Sequence, residues 1–140
     1  MIIRETTARQ MGEIYHGLFC DIFGSWKPHR VPDIVFLFVT DSEDDIMGFA
    51  SGVIVKPGEI YLQYGGEREK YRGFHTKNDL RKVRDYIHSK GFKYITTIVE
   101  ATNNSMLRLY LSIGYVIFGT RIATDKTVCV ELIHENLPEM

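Results

Sequence analysis

Apolar residues recur along this chain with two different periods. Met11, Ile14, Tyr15, Leu18, Phe19 and Ile22 repeat at helical spacing behind Thr7, where Gln10 three residues later completes a capping-box pattern. Gly24 is a natural stop, so one helix is predicted from Thr7 to Gly24. Ile2 to Arg4 reads as a first strand. Residues 24–33 contain two prolines and read as a loop. Ile34 to Val39 is a continuous apolar run suited to a strand buried on both faces. Met47 to Val55 and Glu59 to Tyr64 are further strands, separated by the turn signal Lys56-Pro57-Gly58, so residues 34–64 suggest an antiparallel meander. Leu80, Val83 and Ile87 mark a helix from Thr76 to Gly91. Lys93 to Val99 is a β-branched strand, Asn103 to Ile113 a helix closed by Gly114, and Tyr115 to Arg121 with Thr127 to Ile133 a final hairpin. The order is β-α-β-β-β-α-β-α-β-β. A strand, helix and strand between residues 59 and 99 imply one parallel crossover in an otherwise antiparallel sheet. The fold class is α/β: a mixed, mostly antiparallel sheet with helices on both faces, in one domain spanning 1–140.

Composition narrows the function classes. Apolar residues make up 44% and charged residues 25%, as in ordinary globular chains. Seventeen Lys and Arg against eighteen Asp and Glu leave a net charge of −1. That argues against a strongly basic nucleic-acid coat or an acidic tail. No apolar run reaches the length of a membrane span, and the first residues lack a signal-peptide layout. Cys20 and Cys129 match no metal or redox spacing, the five histidines match no metal-ligand spacing, and no metal is expected. A reducing cytoplasm is the simplest compartment.

The chemistry concentrates in the second half. Asn103-x-x-Met106-x-x-Leu109-Tyr110-x-x-x-Gly114-Tyr115, set in this element order, resembles the GNAT superfamily of N-acyltransferases. The resemblance covers nearly the whole chain. It implies acyl transfer from acetyl-CoA, or another acyl-CoA, to an amine by direct attack. It also implies that Tyr110 is the general acid for the departing thiolate and that Asn103 caps its helix or holds a ligand amide. A tyrosine at helical spacing is equally a packing residue, and Asn103 a plain cap.

Tyr71-Arg72-Gly73 resembles the family's pyrophosphate loop, in which backbone N–H groups and a helix N-terminus face phosphates. Aligned on Arg72, the loop has His75 and Lys77 where the family has glycine or alanine. Thr76 could lend a hydroxyl, and Lys77 and Arg81 could lend charge. The alternatives are a charged loop that still binds coenzyme A and a site that has lost it.

Glu59 stands 13 residues before Arg72, where the family often has its base; Glu67 competes for that role, and Glu59 could instead be an exposed turn residue. Gln63, Tyr64 and Gly65 would bond along the pantetheine arm as a strand would, with their N–H groups polarising the thioester carbonyl. The sheet would splay between strands 59–65 and 93–99 to hold that arm. Gly65-Gly66 suits a bulge or a close backbone approach. Alternation sets Glu59, Tyr61 and Gln63 on one face, and Ile60, Leu62 and Tyr64 on the core face.

The acceptor is expected to be a small-molecule or peptide amine. Trp26 beside Lys27, His29 and Arg30 keeps a nucleic-acid base or nucleotide as an alternative, although near-neutral charge argues against tight duplex binding. A GNAT-fold binding or regulatory module without catalysis is the other alternative. An exposed edge strand could support a homodimer.

Overall fold

The computed structural model describes residues 1–26, 30–73 and 75–137. Seven strands form one sheet in the order β1-β2-β3-β4-β5-β7-β6: β1 (Ile2–Thr6), β2 (Ile34–Val39), β3 (Ile46–Lys56), β4 (Glu59–Glu67), β5 (Tyr94–Glu100), β6 (Val116–Ile122) and β7 (Val128–Glu135). The helices are α1 (Ala8–Met11), α2 (Glu13–Phe23), α3 (Thr76–Ser89) and α4 (Asn104–Ser112), with a short 3₁₀ turn at Glu69–Tyr71. The architecture is the mixed, mostly antiparallel α/β sheet expected from the sequence. The chain groups into two compact units, residues 1–53 with 63–76 and residues 54–62 with 77–137, so it passes from one to the other within β4.

In the first unit β1 pairs antiparallel with β2, and β2 with β3. The continuous apolar run of β2 is explained by burial: Val35, Phe36, Phe38 and Val39 are all inaccessible or nearly so. Tyr15, Leu18 and Phe19 of α2 pack with Val35 and Phe49, and Tyr64 joins this cluster from β4. The single helix expected between Thr7 and Gly24 is two helices. Gly12 has φ +58°, a conformation closed to most residues, and it ends α1 before α2 begins. Only half of the capping box forms. Thr7 Oγ1 accepts the Gln10 N–H at 3.1 Å, while the Gln10 side chain takes the Thr6 hydroxyl at 3.3 Å.

In the second unit β4 pairs parallel with β5 over four residues, Glu59–Leu62 against Tyr94–Thr97, which is the expected crossover. β5 pairs antiparallel with β7 along its whole length, and β7 with β6. Val83 and Ile87 of α3 are buried, as their spacing required, together with Ile60, Ile95, Ile113 and Leu132. No helix among the described residues is long and apolar enough to cross a membrane.

Candidate active site

The loop before α3 is internally braced. Arg72 donates from Nε to the Glu67 carbonyl at 2.8 Å and from Nη2 to the Ile22 carbonyl at 3.4 Å. The Gly73 N–H donates to Thr76 Oγ1 at 3.1 Å, and the Thr76 N–H returns to the Gly73 carbonyl at 3.1 Å. This is the reciprocal pattern of a helix start. Arg72, Gly73 and Thr76 therefore come together, but through bonds to one another and to backbone. Among the described non-glycine residues only Glu43 and Lys126 have positive φ. His75 and Lys77 thus replace glycine or alanine without left-handed strain. Phe74 lies outside the described residues. Lys77 and Arg81 are exposed on the first turns of α3, and Arg81 Nη1 reaches Asn78 Oδ1 at 3.4 Å.

The segment leading into this loop is held by a charged network that the sequence reading missed. Arg68 donates to Asp21 of α2 at 2.8 Å, to Asp45 at 3.0 Å and to the Ile46 carbonyl at 3.1 Å. Asp45 also takes Lys70 at 2.7 Å and the Tyr71 hydroxyl. Hydrogen bonds from Lys70 and Tyr71 hold the Asp45 carboxyl far below the usual carboxylate range. Asp21 and Asp45 lie 47 and 23 residues from Arg68, so spacing carried no signal.

Along β4, Ile60 and Leu62 are buried, while Tyr61 and Gln63 are half-buried, as alternation predicted. Gln63 Oε1 is buried and meets no hydrogen-bond donor among the described residues. The Tyr64 ring packs edge-on against Phe19 at 4.9 Å, so that side chain belongs to the core and only its backbone is left for a ligand. The glycine pair is a close approach at Gly66: a Cβ there would lie 2.9 Å from Ile22 Cγ2, whereas Gly65 is exposed with ordinary clearances. Gly48 is the counterpart the sequence reading overlooked, because a Cβ on it would strike the Gly66 carbonyl.

Glu59 opens β4 half-buried, and its carboxylate lies 3.8 Å from Lys56 Nζ. Glu67 is buried at the far end of the strand.

Asn103 is the N-cap of α4: its Oδ1 accepts the Met106 N–H at 3.2 Å. On the same helix the Tyr110 phenol is hydrogen-bonded to the Thr97 hydroxyl, and burial raises its pKa above the usual phenol value. Thr97 in turn donates to the Leu62 carbonyl at 3.1 Å, so Thr97 must accept from Tyr110. The phenol keeps its proton near neutral pH and holds it in a fixed chain, Tyr110 to Thr97 to Leu62.

The Gly114-Tyr115 end of the motif has a structural explanation. Gly114 has φ +96°, and a Cβ there would sit 3.2 Å from His134 Nε2. Arg84 donates to the Ile113 carbonyl and pairs with Asp85 at 2.8 Å. His134 Nδ1 and His88 Nε2 are 2.8 Å apart, and His88 Nδ1 is 2.7 Å from the Phe92 carbonyl. A carbonyl only accepts, so His88 carries its proton on Nδ1 and the His134 Nδ1–H donates across the pair. Burial, with Arg84 and His88 as neighbours, pushes the His134 imidazole down to about 4.

On the first unit, Trp26 packs against Tyr15 at 5.7 Å, Phe19 at 5.1 Å and His16 at 4.7 Å, one wall of an open cavity of about 1040 Å³ that also meets Arg9, Glu13, Gly17 and Arg30. Arg30 stands 4.0 Å from Asp33. Lys27 and His29, the other basic candidates, lie outside the described residues.

No protein-family model and no curated protein matches the sequence. Solved structures do match. A variant of spermidine N-acetyltransferase from Vibrio cholerae superposes with a TM-score of 0.72 at 13% identity, over 96% of this chain and 95% of that one. The ribosomal-protein-S18-alanine N-acetyltransferase of Escherichia coli gives 0.68 at 16% identity, over 96% and 94%. A Bacillus subtilis acetyltransferase in complex with CoA gives 0.71 at 12% identity, over 97% and 100%. Strand order, the parallel β4–β5 crossover and these superpositions agree that the chain has the fold of the GNAT N-acyltransferases.

Proposed function

We propose that this protein is an acyl-CoA-dependent N-acyltransferase acting on a small-molecule or peptide amine, with acetyl-CoA as the first donor to test. The observation that carries the reading is the half-buried Tyr110 side chain, whose phenol stays neutral in a hydrogen-bonded chain on a helix capped by Asn103 within a GNAT fold.

Acyl-CoA supplies the acyl group as a thioester. The fit of such a ligand is supported by Gln63 Oε1, a buried acceptor awaiting a donor of the kind a pantetheine amide N–H provides. Backbone N–H groups from Gln63 to Gly65 are the candidates for polarising the acyl carbonyl. Lys77 and Arg81, exposed on the first turns of α3, offer charge to phosphates, and the helix N-terminus adds its partial positive charge. His75, Thr76, Arg72 and Gly73 complete that loop.

In the second unit Tyr110 supplies the proton for the leaving sulfur. Thr97 then rotates its hydroxyl toward the phenolate, exchanging its bond to Leu62 for one to Tyr110. Glu59, or water, takes the proton the amine loses as it forms the new C–N bond.

A second reading, a GNAT-fold binding module without catalysis, is favoured by the bonds that already occupy Arg72 and the Gly73 N–H. Calorimetric titration with acetyl-CoA and desulfo-CoA separates the two. Micromolar binding of both supports the transferase and justifies an acceptor screen of amines, peptides and nucleotides. No binding at millimolar ligand supports the module. The cytoplasm is the proposed compartment.

A further inference from the structure

In the second unit the sheet has a closed face and an open face. Ile95, Thr97, Val99 and Leu132 are buried on the closed one, where Thr97 meets Tyr110 of α4. Alternation and register put Tyr61, Thr96, Ile98, Glu131 and Ile133 on the other, and all five stay half-exposed. β6 continues the open face with Gly119 and Arg121, which pair with Glu131 and Cys129 of β7. Two opposite charges stand on this face without meeting. Arg121 and Glu131 are diagonal neighbours, a relation that sets residues about 7–8 Å apart and within reach of long side chains. Yet Arg121 turns to Tyr61, donating to its hydroxyl at 3.0 Å with the guanidinium 5.6 Å from the ring centroid. Among the described residues no carboxylate pairs with it, and that one bond leaves most of the guanidinium donors unused. The Glu131 carboxylate lies over Gly119, where a Cβ would come to 3.0 Å from its Oε1. Among the described residues it takes no hydrogen bond or ion pair. A half-buried charge left unpaired costs free energy, which a ligand of opposite charge recovers.

We infer that this open face binds the acceptor, with the acceptor ammonium on Glu131 and a carboxylate of the same molecule on Arg121. The acceptor class is therefore an amine that also carries a carboxylate, of amino-acid or dipeptide size. Its role as acceptor rests on the acyltransferase reading. A bare amine answers only Glu131, and a bare carboxylate only Arg121. Because neither side chain neutralises the other, the pair selects a zwitterion. The position suits the chemistry. The β4–β5 ladder ends at Leu62 and Thr97; Ile98 is the next residue of β5, and Glu131 is its partner on β7. An amine held there stands where that ladder stops, on the face opposite Tyr110. The nucleophile thus enters from one side of the sheet, and the leaving sulfur takes its proton from the other.

Heteronuclear NMR titration of the full chain tests it, with and without desulfo-CoA. The probes are glycine, 4-aminobutyrate and glycylglycine, each beside its carboxamide, which keeps the amine and loses the anion. The acids should shift the backbone amides of Thr96, Ile98, Glu131 and Ile133 and bind at least tenfold more tightly than their carboxamides. R121Q should abolish that preference and R121K restore part of it, while E131Q should weaken acids and carboxamides alike by about tenfold. The comparison of acid with carboxamide needs the wild type alone, so it decides the matter even where a variant fails to fold. Carboxamides that bind as tightly as the acids, shifts confined to other strands, or no shift with any probe up to about 50 mM overturn the inference. Release of the coenzyme A thiol separates this inference from the reading it rests on. Turnover of acetyl-CoA with carboxamides as fast as with the acids keeps the transferase and removes the zwitterion subsite. Acids that bind this face with no thiol released by any amine remove the transferase, and the acceptor role with it.

Discussion

Arg68 Nη1 donates to Asp45 Oδ1 at 3.0 Å, tying the end of β4 to the start of β3 just before the chain enters the Arg72-Gly73 loop. Lys70 and Tyr71 close on the same carboxylate. One side chain thus fixes three residues of the approach to α3, although it is distant from the loop in sequence. D45N keeps the size of the group and removes its charge. It should lower coenzyme A affinity about tenfold while a truncated pantetheine thioester, which lacks the nucleotide, binds nearly as before. The folded Asp45 ionises at lower pH than the ordinary 3.8. Its contribution is therefore present above about pH 4 and lost as pH falls further. Chemical denaturation of wild type and D45N should differ at pH 6 and converge in acid.

Y110F should lower kcat by about 100-fold, with the fold and cofactor affinity little changed, because the substitution removes one oxygen from a side chain whose ring still fills its place. T97V is the sharper test. The Thr97 bond opposes the rise that burial imposes on the phenol pKa. Without it Tyr110 is a poorer acid, so turnover should fall about tenfold and KM should stay. Unchanged turnover in both variants would remove Tyr110 as the proton donor.

The His88–His134 pair predicts a second pH dependence, this time of stability. In the unfolded chain His134 titrates near 6.5, and in the folded chain at about 4. Between those values the unfolded state binds the extra proton, so stability falls as pH drops from about 6.5 to 4 and is level above that window. H134Q, whose amide can still donate to His88 Nε2, should flatten the curve there. A wild-type denaturation midpoint constant from pH 7 to 4 would contradict a neutral His134.

What the sequence made legible follows from how local each cause is. β2 was read from Ile34 to Val39 because a run buried on both faces needs no partner to be recognised. The cap at Asn103, one of the two roles read for it, was legible because capping acts over three residues. The break at Gly12 was hidden: the apolar spacing of α1 and α2 runs through it, and only the backbone angle shows the interruption. The Asp45 network, the His88–His134 pair and the contact of Gly48 with Gly66 join residues far apart in the chain, which periodicity cannot report. At the candidate site the residue types were readable and their present partners were not. Arg72 and Thr76 are both engaged with the protein itself.

Two glycines should respond to the same substitution with opposite sign. Gly48 lies in β3 with the β4 backbone against it: an added Cβ would strike the Gly66 carbonyl and lie 2.8 Å from Glu67 Cα. Backbone cannot step aside as a side-chain tip can, so G48A must either spread the strands or distort the approach to the loop. A loss of about 2–3 kcal/mol is expected. Gly17 lies inside α2, where an added Cβ meets nothing within 4 Å. There glycine only weakens the helix, and G17A should raise stability by about 0.5–1 kcal/mol. Because Gly17 lines the Trp26 cavity, the same variant reads out whether that cavity is used. If an amine acceptor sits against this wall, G17A should raise its KM while the protein melts at higher temperature, an outcome that loss of folding cannot imitate. If KM is unchanged, acceptor binding lies elsewhere and the cavity is a surface feature of the first unit.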